Sequence, residues 1–395
     1  MILYEYEGKK LLFDASIDIP QSQLIESADT EVIIKPPCVL KAQVLSGKRA
    51  DVGGIVIIRD ENADVQKELK DLFGETINKE KVDKILVEKM IEYETEYYFS
   101  ISYDTDTRSP LITFSESGGT GIEGRSVKTY QIDILTRDVL LQNSEDKEIT
   151  DLGIPNELLK KLIDLFFDTD MTLLEINPLV KASDGRFIAL DAKVKLDDDA
   201  KTRHENWEFK PRLAGGRTPT QNEIAAKQID EGDYRGTAGS AYFDLDGDIA
   251  ILSSGGGVSL TAMDALIKAG GKPANFTEYS GNPPKEKVVK LTKIVLNKPS
   301  IHGLWVVGTV AANFTDIYET LSGLIDGLRE AEKELDTKFN FPIVIRRGGP
   351  RVEGAYEMLK NISDFKLTLQ GEETSKAQSA KVIKELAEKY NGMIE

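Results

Sequence analysis

Four polar residues on one short stretch define the chemistry open to this chain. In residues 174–199, LEINPLVKASDGRFIALDAKVKLDDD, the Ser183-Asp184-Gly185 triplet reads as the turn of a β-hairpin, because Gly accepts positive φ without steric cost. With a three-residue loop, Asn177 faces Asp191 and Glu175 faces Lys193, and all four project from one side. The alternate positions, Leu174, Ile176, Ile188, Leu190, Ala192 and Val194, form an apolar side that can pack on a core. A carboxylate opposite a carboxamide oxygen on rigid strands suits a Mg²⁺ that carries nucleotide phosphates. That ion takes one or two oxygens from protein and completes its octahedron with phosphate and water. The same pattern also fits an ordinary hairpin with one charged, solvated face.

The composition limits what surrounds this hairpin. At 395 residues and 40% hydrophobic content, the chain can bury a large core in two or three domains. A formal charge of -17 repels phosphate backbones and argues against nucleic acid as a partner. The single cysteine, Cys38, rules out an intramolecular disulfide, suits a reducing compartment and reads as a small buried apolar residue. The first ten residues, MILYEYEGKK, carry acids where a secretory signal needs a basic and then an apolar run. No apolar stretch reaches the ~18 residues of a membrane span. A soluble, cytoplasmic protein is expected.

The elements that must position the chemistry follow from periodicity and punctuation. Residues 4–12 read as a helix, and 31–37 (EVIIKPP) and 38–45 (CVLKAQVL) as strands. The loop 46–54, SGKRADVGG, offers backbone N–H groups to an anion, with Lys48 and Arg49 adding charge, or else is a plain hairpin turn. Residues 84–104 read as two strands, 109–124 as a strand and a flap, 146–151 as a solvated acidic tract, and 155–167 as a helix. A polar linker, 201–240, holds one helix at 222–230 and divides a domain at 1–200 from one at 241–395.

In the second domain, apolar strands at 248–253, 303–307, 342–345 and 366–369 each run into a turn and then a helix. Such units build a doubly wound parallel sheet whose ligands bind beyond the C-terminal strand ends. The turns are Gly255-Gly256-Gly257-Val258-Ser259, 308–315, Arg346-Arg347-Gly348-Gly349-Pro350 and 371–375. Helix N-termini favour anions, paired arginines grip carboxylates, and a triple glycine lets a ligand approach the backbone. A small polyanion is the expected ligand, although the arginines also suit a structural ion pair. The two histidines fall outside these turns: His204 reads as a polar linker residue and His302 as a strand-edge residue.

These motifs carry a family resemblance. LLEINPLV with the Asp of LDAK resembles the magnesium-binding hairpin of the ATP-grasp domain in succinyl-CoA synthetase β subunits. GGGVSLTAMD, VGTVAANFTD and IRRGGPRVEG resemble the citrate-binding domain of the ATP-citrate lyases more than its succinyl-CoA synthetase counterpart. The resemblance implies an α/β chain, with an N-terminal ATP-grasp domain of two subdomains followed by a flavodoxin-like doubly wound parallel-sheet domain that binds citrate. It implies Asn177 and Asp191 as Mg²⁺ ligands and Glu175 beside the path of phosphoryl transfer. It places Lys41 at the ATP phosphates, the loop that carries Lys48 over the triphosphate, the backbone of Glu88, Lys89 and Met90 at the adenine edge, and Glu96 near the ribose or metal. Asn313, Phe314 and Thr315 would hold citrate, with one of Arg346 and Arg347, preferentially Arg347, on a carboxylate. Gly256 and Gly257 would open the helix that faces a phosphohistidine. The loop departs from the family, with Lys48, Ala50 and Asp51 where Gly, Gly and Lys are usual.

The implied activity is ATP- and CoA-dependent conversion of citrate to acetyl-CoA and oxaloacetate. It would run through a phosphohistidine, citryl phosphate and citryl-CoA. Neither histidine here sits in a glycine-rich loop suited to phosphorylation. An α-type partner would therefore supply that histidine, a citrate-synthase-like domain and most of the CoA site, and the chain would act only in a hetero-oligomer. Alternatives are a citryl-CoA synthetase subunit, a succinyl-CoA synthetase β subunit, or a non-catalytic nucleotide-sensing subunit.

Overall fold

A computed structural model describes residues 1–78, 80–119, 127–140, 153–210, 212, 217–311 and 313–394. The flap after Gly119, residues 120–124, and the whole acidic tract 146–151 lie outside the described residues. The chain divides into two compact units, Met1–Thr218 and Pro219–Glu395. No described helix is long and apolar enough to cross a membrane.

In the first unit, α1 (Glu5–Asp14) begins where Glu7 returns its carboxylate to the Tyr4 N–H at 2.8 Å. Then come β1 (Ser22–Ile25), β2 (Cys38–Ala42), β3 (Ile55–Ile58), α2 (Val65–Leu72), the short hairpin β4 (Thr76–Ile77) and β5 (Glu80–Lys81), and β6 (Ile85–Lys89). Strands 1, 6, 2 and 3 form an antiparallel sheet in that order. The expected strand at 31–37 is absent. Pro36 and Pro37 lack the N–H that a ladder needs, and the Gln23 side chain takes the pairing role, bonding Glu31 O and Ile33 N at 2.9 Å each. The edge position belongs instead to Ser22–Ile25.

A second antiparallel sheet follows. It comprises β7 (Tyr93–Asp104), β8 (Ser109–Ser115), β9 (Lys128–Ile132) and β10 (Val139–Leu140), then, after α3 (Asn156–Asp168), β11 (Met171–Ala182), β12 (Phe187–Ala189) and β13 (Lys193–Leu196). The long β11 pairs with β7 on one edge and with β12 and β13 on the other. Leu174, Ile176 and Leu179 are fully buried in the main core of the unit, and Val180 is fully buried in a smaller cluster with Ala182 and Ile188.

The second unit opens with α4 (Gln221–Lys227), whose Thr220 and Glu223 form a reciprocal cap. After β14 (Phe243–Asp244) come β15 (Ile249–Ser254), α5 (Gly256–Lys268), β16 (Asn275–Phe276), α6 (Lys285–Leu296), β17 (Gly303–Gly308), α7 (Ile317–Glu334), β18 (Pro342–Arg346), α8 (Val352–Lys360), β19 (Lys366–Gln370) and α9 (Lys376–Ile394). β15, β17, β18 and β19 form a parallel sheet, and every residue of the first three is buried. This is the all-apolar signature of strands covered on both faces. Helices α5 and α9 pack on one face, and α6, α7 and α8 on the other.

Parallel bridges from Ile249 to Pro273 and from Ser254 to Tyr279 lay the segment carrying β16 along the free side of β15. Its ladder is incomplete because the Asn275 side chain bonds both the N–H and the C=O of Ile251 at 2.9 Å. With that segment counted, the strand order is 2-1-3-4-5, the flavodoxin-like order. Its switch point falls between β15 and β17, whose following helices diverge to opposite faces.

Candidate functional site

The hairpin has the register read from its turn. Glu175 pairs with Lys193, and Leu179, Val180 and Lys181 pair with Ala189, Ile188 and Phe187, around Gly185 at φ +86°. The ladder opens at 190–192, opposite Asn177. There the pairing of β11 with β7 also slips between Ile176 and Leu179, a bulge that re-aims the intervening side chains. Asn177 Oδ1 accepts the Gly119 N–H at 2.7 Å, and its Nδ2 donates to Gly119 O at 3.1 Å. A Cβ on Gly119 would stand 3.3 Å from Glu96 Oε1. Glu96, Gly119 and Asn177 therefore meet at the root of the expected flap. Glu175 lies 3.8 Å from Lys193 Nζ.

Asp191 is half-exposed, at 37%, with Arg49 Nη2 at 3.3 Å from one of its oxygens. One carboxylate and one carboxamide oxygen on a hairpin fit magnesium, which needs few protein ligands when phosphates supply the rest. Among the described residues, no group of three or more His, Cys, Asp or Glu could hold a metal. The metal reading thus depends on a ligand that brings its own oxygens.

Behind Asp191 lies a buried ionic cluster. Glu5 accepts from Lys9 at 2.8 Å, from Lys41 at 2.9 Å and from Arg49; Glu88 accepts from Lys41 at 2.8 Å and from Lys9. Leu190 O takes a further donor from each lysine, and Arg49 Nη1 reaches Ala42 O at 2.9 Å. Three cations face three carboxylates, counting Asp191, so the cluster is neutral. Burial alone would raise the Glu5 pKa, but Arg49, Lys41 and Lys9 overcome it and hold the carboxyl well below the ordinary range. Burial likewise opposes the Lys41 ammonium, yet Glu5, Glu88 and Asp191 raise its pKa.

Lys41, read as a phosphate ligand, is thus fully engaged with Glu5, Glu88 and Leu190 O. Glu88 lies on an inner strand, with Ser22 and Val39 as backbone neighbours. The N–H groups of Lys89 and Met90 go to Gln21 O at 2.9 Å and Pro37 O at 3.1 Å, so an adenine edge could use those donors only by opening these bonds. Lys48 is exposed in a left-handed conformation, with the inward turn belonging to Arg49 instead. Sequence reasoning missed Glu5 and Lys9. Their only signal is an acid and a base four residues apart on one helix.

The second unit gathers its candidates at the switch point. Gly256 and Gly257 are exposed at the start of α5, where Gly255 at φ +93° leaves the helix without a side-chain cap. Asn313 and Phe314 are exposed and Thr315 is buried, just before Asp316 caps α7. The adjacent arginines part company. Arg346 donates to Thr374 O at 2.8 Å and Gly308 O at 2.7 Å. Arg347 is fully buried, and its Nε, Nη1 and Nη2 have no hydrogen-bond partner in the chain. Its guanidinium lies 5.5 Å above the Tyr279 ring. An unpartnered buried guanidinium costs several kcal/mol, and an anion is what would remove that cost.

Gly308 makes room for this side chain, since a Cβ there would lie 1.7 Å from Arg347 Nη1. The Gly308→Ala variant should therefore displace the guanidinium and bind a carboxylate ligand at least about tenfold more weakly, ~1.4 kcal/mol or more. Calorimetric titration checks this. His204 and His302 stand apart from these groups, paired with Asp170 at 2.7 Å and Asp248 at 3.0 Å.

Residues 2–181 match the family described as ATP-grasp domain, and residues 217–383 the family described as ATP citrate lyase citrate-binding. The ADP-forming succinate–CoA ligase subunit beta of Methanocaldococcus jannaschii is 32% identical over 349 residues, covering 84% of this chain and 88% of that protein. The ATP citrate lyase of Methanothrix soehngenii, solved in complex with citrate and coenzyme A, superposes with a TM-score of 0.78 at 25% identity. The match covers 97% of this chain and 99% of that one. The Methanosaeta concilii ATP citrate lyase, solved with (3S)-citryl-CoA, shares the fold at a TM-score of 0.75 and 23% identity, over 96% of this chain and 98% of that one.

Proposed function

The chain belongs to the succinate–CoA ligase β-subunit-like superfamily of ATP-grasp proteins with a citrate-binding-type second domain, and we propose that it is the Mg-ATP- and citrate-binding subunit of an ATP-citrate lyase. The carrying observation is Arg347, a buried cation with three unpartnered nitrogens at the switch point of the second unit. In this reading Arg347 grips a citrate carboxylate, Asn313 and Thr315 orient the remainder, and Arg346 holds the loop carbonyls in place. The N–H groups at Gly256 and Gly257 present positive potential to the phosphoryl donor. In the first unit, Asn177 and Asp191 hold the metal, Lys48 lies at the phosphate end, Glu96 reaches the ribose or metal, and Glu175 flanks the transfer path. Bound magnesium would neutralise charge on the transferring phosphoryl group.

The phosphohistidine, the cleaving domain and most of the CoA site fall to an α-type partner in a cytoplasmic hetero-oligomer. Identity with a succinate–CoA ligase subunit beta favours a second reading, in which the acid is succinate. Titrating the full chain with citrate and with succinate separates the two. Citrate binding at least ~100-fold tighter than succinate, or ~2.7 kcal/mol, is the expected result. A succinate response with citrate silent overturns it.

A further inference from the structure

The small hairpin of β4 and β5 plays no part in the reading above, yet it grips the loop assigned to the triphosphate. The Glu80 carboxylate accepts two consecutive backbone N–H groups, Leu45 to Oε2 at 3.0 Å and Ser46 to Oε1 at 2.9 Å. Asn78, left-handed at φ +48°, donates its Nδ2 to Gly47 O at 2.9 Å. The chain then turns left-handed at Lys48, and Arg49 plunges inward to Ala42 O and Glu5. Lys48 is thus an exposed cation between two fixed points. Ser46 Oγ is buried there with no partner in the chain.

We propose that Glu80 is a positioning residue for nucleotide phosphates, setting the backbone of residues 45–47 so that Lys48 and the loop N–H groups after Ser46 meet the terminal phosphates in a prepared geometry. This rests on the nucleotide reading of the first unit. A carboxylate on two adjacent N–H groups also resembles an anion standing in a phosphate's place. The Asn78 contact adds a donor to Gly47 O that no phosphate supplies, so the hairpin holds the loop at a further point beyond the two N–H groups that Glu80 occupies. A hairpin that satisfies both donors and an acceptor fixes the loop's conformation, and a pre-set loop loses less conformational freedom when a ligand binds.

The test is Mg-ATP binding by calorimetry, with AMP measured by displacement, for the wild-type chain, Glu80→Ala and Asn78→Ala. A loop that meets only the terminal phosphates predicts about a tenfold loss of Mg-ATP affinity in Glu80→Ala and a smaller loss in Asn78→Ala, with AMP unchanged. Equal losses for ATP and AMP would make Glu80 a plain structural residue and overturn the proposal. Tighter Mg-ATP binding in Glu80→Ala would show that the carboxylate competes with phosphate, and also overturns it. A wild-type chain that binds no nucleotide overturns the reading of the first unit and this proposal with it. Wild-type binding with an indifferent Glu80→Ala overturns this proposal alone.

Discussion

Arg347→Ala is expected to abolish citrate binding while leaving the second unit as stable as before or more so. The guanidinium is wholly buried and its three nitrogens have no hydrogen-bond partner in the chain. Truncating one partner of a buried, charge-assisted pair costs about 2–5 kcal/mol of binding, which is a loss of roughly 30- to 4,000-fold. Removing the same group from the free protein deletes a desolvated cation that no hydrogen bond offsets and that only the Tyr279 ring stabilises, so the unfolding temperature should hold or rise. Arg346→Ala should do the reverse. Its guanidinium joins Thr374 O to Gly308 O, and losing two ionic hydrogen bonds, one of them buried, costs about 2–4 kcal/mol of stability. Citrate titration and scanning calorimetry of both variants decide the matter. A destabilised Arg347→Ala that still binds citrate would make that arginine structural and remove the main support for the citrate reading.

That contrast shows what a sequence can and cannot convey. Arg346 and Arg347 are chemically identical neighbours, and a pair of arginines after an apolar strand predicts anion binding without saying which one is free. The answer depends on Gly308, whose missing Cβ gives Arg347 its path, and on Thr374, whose carbonyl claims Arg346. The register of the hairpin was legible because a one-residue slip would have exposed Leu174, Ile176 and Val194; the break in its ladder opposite Asn177 was not. The parallel sheet was legible because strands buried on both faces leave unbroken apolar runs.

The strand expected at 31–37 failed because hydrophobic pattern outweighed the two prolines. The role of Lys41 was hidden for another reason. Glu5 and Glu88 are distant in the chain, and nothing local says that an amphipathic helix will turn its charged pair inward. Lys41 reads as a phosphate ligand from its strand, while its environment makes it one of three cations shared among three carboxylates.

The neutrality of that cluster makes Glu5→Gln the most destabilising single change expected in the first unit. The Glu5 side chain is 2% exposed and, among the described residues, is the only carboxylate that touches Lys9, Lys41 and Arg49 together. An isosteric amide preserves packing but leaves three buried cations facing two carboxylates, and breaking a buried pair from one side costs about 3–5 kcal/mol. The pH dependence has a definite sign. Arg49, Lys41 and Lys9 hold the Glu5 carboxyl well below its ordinary value of 4.5 against the opposing effect of burial. Its contribution to stability is therefore fully present above pH 4.5 and is lost as the pH falls toward the folded-state value. Scanning calorimetry of the full chain from pH 7 to pH 3 should show the wild-type first unit losing stability below pH 4.5, and Glu5→Gln starting lower with a shallower decline. The same charges that fix Glu5 also meet Asp191 through Arg49. Glu5→Gln should therefore weaken Mg-ATP binding as well, by freeing Arg49 to bind Asp191 more tightly. A variant within about 1 kcal/mol of wild type at pH 7, below what a broken buried pair should cost, would show that the cluster accommodates an unpaired cation and plays no part in fixing Asp191.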